Sequence, residues 1–343
     1  MTENSTQHIA SFDLARLIAI VAIVGLHCQM ALTYWQLDGV PWVGYIINQC
    51  ARFAVPLFFI IAGFLIAPKV SKTPISTLKR YSAPLLKVWL IWSVIYLLVP
   101  LRWHLVLSEG YLAERQAYWQ YLLSQPLNSA LEGGMVHLWF IPALVCGVAI
   151  IALMARYRLL AWLLPLSIAL YFYGVMAGSY ITLTEWPAPF FTRNGPFFAT
   201  LMIAIGFTIA LRHWRLSSLT AVILTVIGMA LHFTEARWLM NANVAFNSHD
   251  FLFGTPLWAC GLFLLLLNYP NIGAVPWVTK LTPHILGVYV LHLLLIIVLM
   301  NLLGLNGISD LARDVILFPS ALCLSFITVK ALSKTPLRSV LLR

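Results

Sequence analysis

Long apolar runs broken by short loops dominate this chain, and the runs have helix rather than strand length. A helix crossing a bilayer needs about 20 mostly apolar residues. Ten segments meet that pattern: 14–35, 43–67, 81–101, 137–155, 159–178, 196–211, 216–233, 251–268, 284–302 and 314–330. They predict an all-α, polytopic membrane protein of about ten transmembrane helices. Nothing between them looks like a soluble domain, so residues 1–343 read as a single membrane domain. The longest intervening segment, 102–136, carries an aromatic run with Tyr111, Trp119 and Tyr121 that suits the membrane surface. No internal repeat and no matched pair of broken helices is visible, which weakens a secondary-transporter reading.

Composition agrees with the pattern. Hydrophobic residues make up 61% of the 343 and charged residues only 9%, against roughly 45–50% and about 25% in soluble domains. The formal net charge of +10 raises the question of nucleic acid. Placement of the charges answers it. Thirteen Lys and Arg fall in loops on one side, from Lys69 and Lys72 through Arg156, Arg212 and Lys280 to Lys334 and Arg338. Five fall on the other (Arg102, Arg115, Arg193, Arg237 and Arg313), together with nine of the eleven acids. Neither set forms a basic stripe interleaved with aromatics, so no nucleic-acid partner is expected. The positive-inside rule puts both termini in the cytoplasm. Residues 1–12 hold no Lys or Arg, which argues for a retained first helix rather than a cleaved signal. The five cysteines lie inside apolar runs without ligand spacing and predict no disulfide framework and no metal site.

Ionisable residues inside apolar runs are costly and point to function. The first run carries Asp13, Arg16 and His27. Arg16 and His27 are eleven residues apart, which puts them on one helix face about 16 Å apart along the axis. Arg16 alone reads as an interfacial arginine paired with Asp13, and His27 alone as an interhelical hydrogen-bonding group. Sharing a face favours a polar track into the bundle. Arg52 reads as an outer anchor, Pro56 should kink the second helix, and Gly63 should allow close helix approach. Lys79 and Arg80 belong either to the topology signal or to a phosphate site. His137 opens the fourth run at its outer end, and His292 lies near the middle of the ninth. Glu185 and Arg193 read as solvated loop charges. No GxSxG, Walker, GxGxxG or HExxH motif is present.

Four motifs occur in order: Phe12-Asp-Leu-Ala-Arg16 with His27, Val55-Pro-Leu-Phe-Phe-Ile-Ile-Ala-Gly-Phe64, His137-Leu-Trp-Phe140 and Leu286-Gly-Val-Tyr-Val-Leu-His292. In these the chain resembles the acyltransferase 3 family of integral-membrane O-acyltransferases, including its first-helix Arg-x10-His signature. Within the family it is similar to the short members that O-acetylate surface polysaccharides such as enterobacterial common antigen. Ala62 stands where many members have serine, so no hydroxyl role is assigned there. Lys79 and Arg80 stand near where many members have an Arg-x-x-Arg pair.

The resemblance implies a multi-pass protein of the bacterial inner membrane that moves an acetyl group from acetyl-CoA to a sugar hydroxyl. The acceptor would be a lipid-linked or surface polysaccharide, and no bound cofactor is expected. His27 is the candidate base or relay. Arg16 is the candidate partner of a CoA phosphate, entering from the cytoplasm. Asp13, Arg52, Lys79, Arg80, His137 and His292 are candidates for binding donor or acceptor. Two alternatives stand beside this: a transporter or flippase for an acyl or glycan group, and an O-acyltransferase using another donor such as succinyl-CoA.

Overall fold

A computed structural model describes residues 8–342. Glu3 and Arg343, both counted in the charge tally, lie outside the described residues. The described residues are 78% helix, with no strand among them. Helix α1 (Ala10–His27) leads to α2 (Trp42–Cys50), a 3-10 turn at Ala51–Phe53, α3 (Ala54–Lys72) and α4 (Pro74–Leu98). Three shorter helices follow, α5 (Trp103–Glu109), α6 (Tyr111–Ser124) and α7 (Pro126–Glu132). After a 3-10 turn at Val136–Trp139 come α8 (Phe140–Arg156), α9 (Leu163–Met176) and the single turn α10 (Ile181–Thr184). Helices α11 (Pro196–Arg212), α12 (Ser218–Leu239) and α13 (Gly254–Asn268) continue the bundle. It closes with α14 (Pro276–Leu281), α15 (Ile285–Leu305), α16 (Asp310–Leu332) and α17 (Arg338–Leu341).

Among the described residues, seven helical stretches are long and apolar enough to cross a membrane, and Leu160–Met176, Pro196–Arg212 and Gly254–Asn268 are shorter apolar helices. Each of the ten predicted runs falls on one of these. The largest differences in bounds fall in three places, each for a local reason. The first run was expected to continue to residue 35, but α1 stops at His27. Gln29, Ala31, Trp35 and Asp38 adopt left-handed φ of 50–54°, and the Asp314 carboxylate accepts from Ala31 N and Tyr34 OH, both at 2.7 Å. The second run is interrupted at Ala51–Phe53. Pro56 has no N–H for the Arg52 carbonyl, and the path tightens to 3-10 there. Residues 69–80, expected as a loop, are helical apart from Thr73, because Pro74 begins α4 at the one position where its missing N–H costs nothing.

Helix α11 is buried almost all round, from Phe197 to Ile209. It meets α3 at two glycines. A Cβ on Gly63 would strike the Ile203 carbonyl, and one on Gly206 would strike the Ile60 carbonyl. The two backbones therefore touch, as small residues permit between membrane helices. By contrast, α12 buries one stripe (Ala221, Gly228, His232, Ala236, Leu239) and exposes Leu219, Val222, Ile223, Val226 and Ile227. Only 22% of an 18-residue apolar stretch within Ser218–Ala242, and of one within Asp310–Leu332, is buried, against 61% of Ala10–His27. An apolar helix with that much bare surface faces lipid, whereas α1 is interior.

The 102–136 segment does more than lie on a surface. Glu114 and Arg115, both buried, pair at 2.5 Å. Glu114 accepts from Leu101 N and Arg102 N, while Arg115 donates to the Tyr96 carbonyl. Trp119 and Tyr111 donate to the Leu97 and Leu98 carbonyls. Together they satisfy carbonyls that the end of α4 leaves without intrahelical partners.

Candidate active site

Three imidazoles from distant parts of the chain converge inside the bundle. His27 is the last residue of α1, His137 sits in the turn before α8, and His292 is in the middle of α15. Ring centroids are 5.0 Å apart for His27 and His292, 5.1 Å for His137 and His292, and 6.3 Å for His27 and His137. Hydrogen bonds assign the tautomers. His27 Nδ1 lies 2.8 Å from the Ile23 carbonyl, so it carries the proton and donates. The same nitrogen is 3.3 Å from His292 Nε2. His292 Nδ1 donates to the Tyr289 carbonyl at 2.7 Å, leaving its Nε2 to accept. His27 Nε2 keeps its lone pair. A positioned base needs that arrangement.

Two tyrosines hold the cluster. Tyr289 donates to the His137 carbonyl, and His137 Nε2 approaches the Val290 carbonyl at 3.3 Å. Tyr96, fully buried on α4, donates to the Val290 carbonyl at 2.9 Å and accepts from Leu294 N at 3.0 Å. Those two backbone groups are each other's i→i−4 partners in α15. The Tyr96 hydroxyl therefore ties α4 to two backbone groups of α15 at the turn that carries His292.

Arg16 and His27 open onto adjoining cavities. One, of about 460 Å³ with mostly apolar walls, reaches from Arg16 and Tyr81 to Phe140 and Tyr289. The other, of about 160 Å³, is lined by His27, Arg52, His137, Arg193 and Asp250. Ile23, Val55, Phe140 and Tyr289 belong to the walls of both. Arg16 thus lines the first cavity and His27 the second, with those four residues between or around both. Asp13 pairs with Arg16 at 3.5 Å and with His8 at 2.7 Å.

Arg52, read both as an outer anchor and as a binding candidate, has a side chain only 14% exposed. It donates to Asp250 at 2.6 Å, and Arg193 donates to the other oxygen of Asp250 at 3.0 Å and to Glu132 at 2.8 Å. Arg193 was expected among solvated loop charges; the structure instead threads it between two carboxylates. Burial by itself would push the Asp250 carboxyl up, but Arg193 and Arg52 outweigh this and hold it below its ordinary value. Lys79 and Arg80 are exposed on the first turns of α4 and line neither cavity, although their neighbour Tyr81 does. Among the described residues, no group of three or more His, Cys, Asp or Glu is arranged to hold a metal ion.

Sequence reasoning flagged His27, His137 and His292 singly but missed Tyr96, Tyr289, Glu132 and Asp250. Asp250 had one available signal, since it sits with His249 immediately before an apolar run.

Fold and site define a polytopic membrane protein with a buried histidine cluster beside an arginine-marked cavity. A family model described as an acyltransferase domain, acyltransferase 3, matches residues 9–330, and the chain belongs to that family. Among curated proteins it is similar to a serine/alanine racemase from Enterococcus gallinarum, 25% identical over 75% of this chain. An amino-acid racemase from Enterococcus faecalis is likewise 25% identical, over 83% of this chain. The matches span only 37% and 41% of those two proteins' lengths. No solved structure matches the chain.

Proposed function

We propose that this membrane acyltransferase moves an acetyl group from acetyl-CoA to a sugar hydroxyl of a lipid-linked or surface polysaccharide. Its nearest functional counterparts would be the short O-acetyltransferases of surface glycans, in the bacterial inner membrane. The observation that carries this reading is the pair of adjoining cavities with Arg16 at one end and the free Nε2 of His27 at the other. All ten apolar helices span the bilayer, and the Arg16 end faces the cytoplasm, where CoA is. Arg16 takes a CoA phosphate, and the mostly apolar cavity beside it accommodates the pantetheine arm.

A sugar hydroxyl is a poor nucleophile and needs a base. In the proposed step the hydroxyl oxygen attacks the thioester carbonyl carbon while its proton passes to His27 Nε2. The C–S bond then breaks, and the CoA sulfur takes the proton back from His27. His292 accepts from His27 Nδ1 and steadies the ring as it becomes charged, as the orienting member of a catalytic triad does. Purified protein in membranes, supplied with labelled acetyl-CoA, tests the reading. Label in glycan supports it. Label that only crosses the vesicle makes the protein a transporter, and label that appears only with succinyl-CoA reassigns the donor.

A further inference from the structure

A third cavity, of about 520 Å³, adjoins the His27 chamber through Arg193 and Asp250, which line both. Its other walls include Asn128, Ser179, Phe190 and His249. His249 is only 1% exposed, and neither of its ring nitrogens has a partner. Arg193, on the same cavity wall, has a buried Nε that is also unpartnered. Buried polar atoms are normally satisfied, so a cluster of orphans on a cavity wall marks a place for a ligand. Its size is ordinary for small-molecule pockets, which run about 300–1,000 Å³.

The charges say what kind of ligand. Arg52 and Arg193 are matched by Asp250 and Glu132, so no net positive charge remains to recruit an anion. Burial, then the nearby charge of Arg52, pushes the His249 imidazole down to about 4. It is neutral at pH 7, offering one donor and one acceptor. Sugar hydroxyls, which both donate and accept, suit either nitrogen, and Phe190 lines the same cavity with an apolar side chain. We infer that this cavity binds one ring of the sugar acceptor, with His249 as its hydrogen-bonding, specificity-determining contact. The inference rests on the sugar-acceptor reading above and extends it to a defined pocket.

The test uses the full-length protein in lipid nanodiscs with no acetyl-CoA present. Saturation-transfer NMR probes glucose, galactose, mannose and N-acetylglucosamine at millimolar concentration. At least one should bind, and His249→Leu should weaken that binding about fivefold or more by removing the hydrogen bonds. Ala188→Trp, which fills the cavity from a half-buried loop position on its wall, should do the same without touching the His27 chamber. It decides the matter if His249→Leu does not fold. Failure of all four sugars to bind, or binding unchanged in the folded variants, overturns the inference. The two readings separate cleanly. Acetylated glycan formed with wild-type acceptor KM by the variants keeps the transferase and removes this pocket. Sugar binding that depends on His249 without acetyl transfer keeps the pocket and removes the transferase.

Discussion

His27 and His292, 265 residues apart in the chain, face each other with Nδ1 and Nε2 3.3 Å apart. The contact orients His27 so that its Nε2, not its Nδ1, is the nitrogen left free. His27→Ala should therefore lower acetyl transfer by about 10²–10⁴-fold, the usual contribution of a positioned acid or base. The protein should still fold and insert, which gel filtration of the purified variant reports. Near-normal glycan acetylation by this variant would make His27 structural.

Tyr96 offers a test of how that pair is held. Its hydroxyl donates to Val290 O and accepts from Leu294 N. Tyr96→Phe removes both bonds and loosens the hold of α4 on the turn carrying His292. The expected loss is about 1 kcal/mol of stability, with kcat falling while KM for acetyl-CoA holds. A fall in thermal stability with kcat intact would limit Tyr96 to packing.

Much of the fold was legible in the chain because bilayer-spanning helices announce themselves by length and apolarity. The ten runs land on ten helices for that reason. The end of α1 was not legible, because Met30, Ala31 and Leu32 are as apolar as any helix interior. What turns the chain is Asp314, which is distant in sequence. The site divides in the same way. Arg16 and His27 share one helix, so their common face follows from spacing alone. The meeting of His27, His137 and His292, and the bridge from Arg52 through Asp250 and Arg193 to Glu132, are tertiary facts that no local pattern encodes.

The α3–α11 contact predicts a stability effect far from any chemistry. Gly63→Val places a Cβ against the Ile203 backbone, and Ile203 lies on a helix buried on all sides. Neither partner can move without disturbing the centre of the bundle. Overpacking of this kind costs about 1–3 kcal/mol, so the melting temperature in detergent should drop. An unchanged melting temperature would mean that α3 and α11 separate readily, contrary to the packing described.

For Arg16, substitution by lysine keeps the charge and removes the fork that grips phosphate. The expected result is a rise in KM for acetyl-CoA of about tenfold, the equivalent of one charged hydrogen bond. Asp13 remains as a partner for the new ammonium, so folding should survive. A loss confined to kcat, with KM unchanged, would move Arg16 from the donor to the reacting atoms.

Orientation governs the donor half of this mechanism, and the loop charges make it testable. Thirteen basic residues on one side against five on the other predict that both termini and the 69–80 segment are cytoplasmic and that 102–136 is external. Ser71, near the end of α3, and Ser108, on α5, are both exposed and lie on opposite sides of that division. Single cysteines at these two positions, in a background lacking the five native ones, can be probed with an impermeant thiol reagent. On intact cells Ser108→Cys should label, and Ser71→Cys should label only after permeabilisation. The reverse pattern would put Arg16 on the side away from cytoplasmic CoA, and its assignment to the donor would fall while the His27 chamber and its geometry stood.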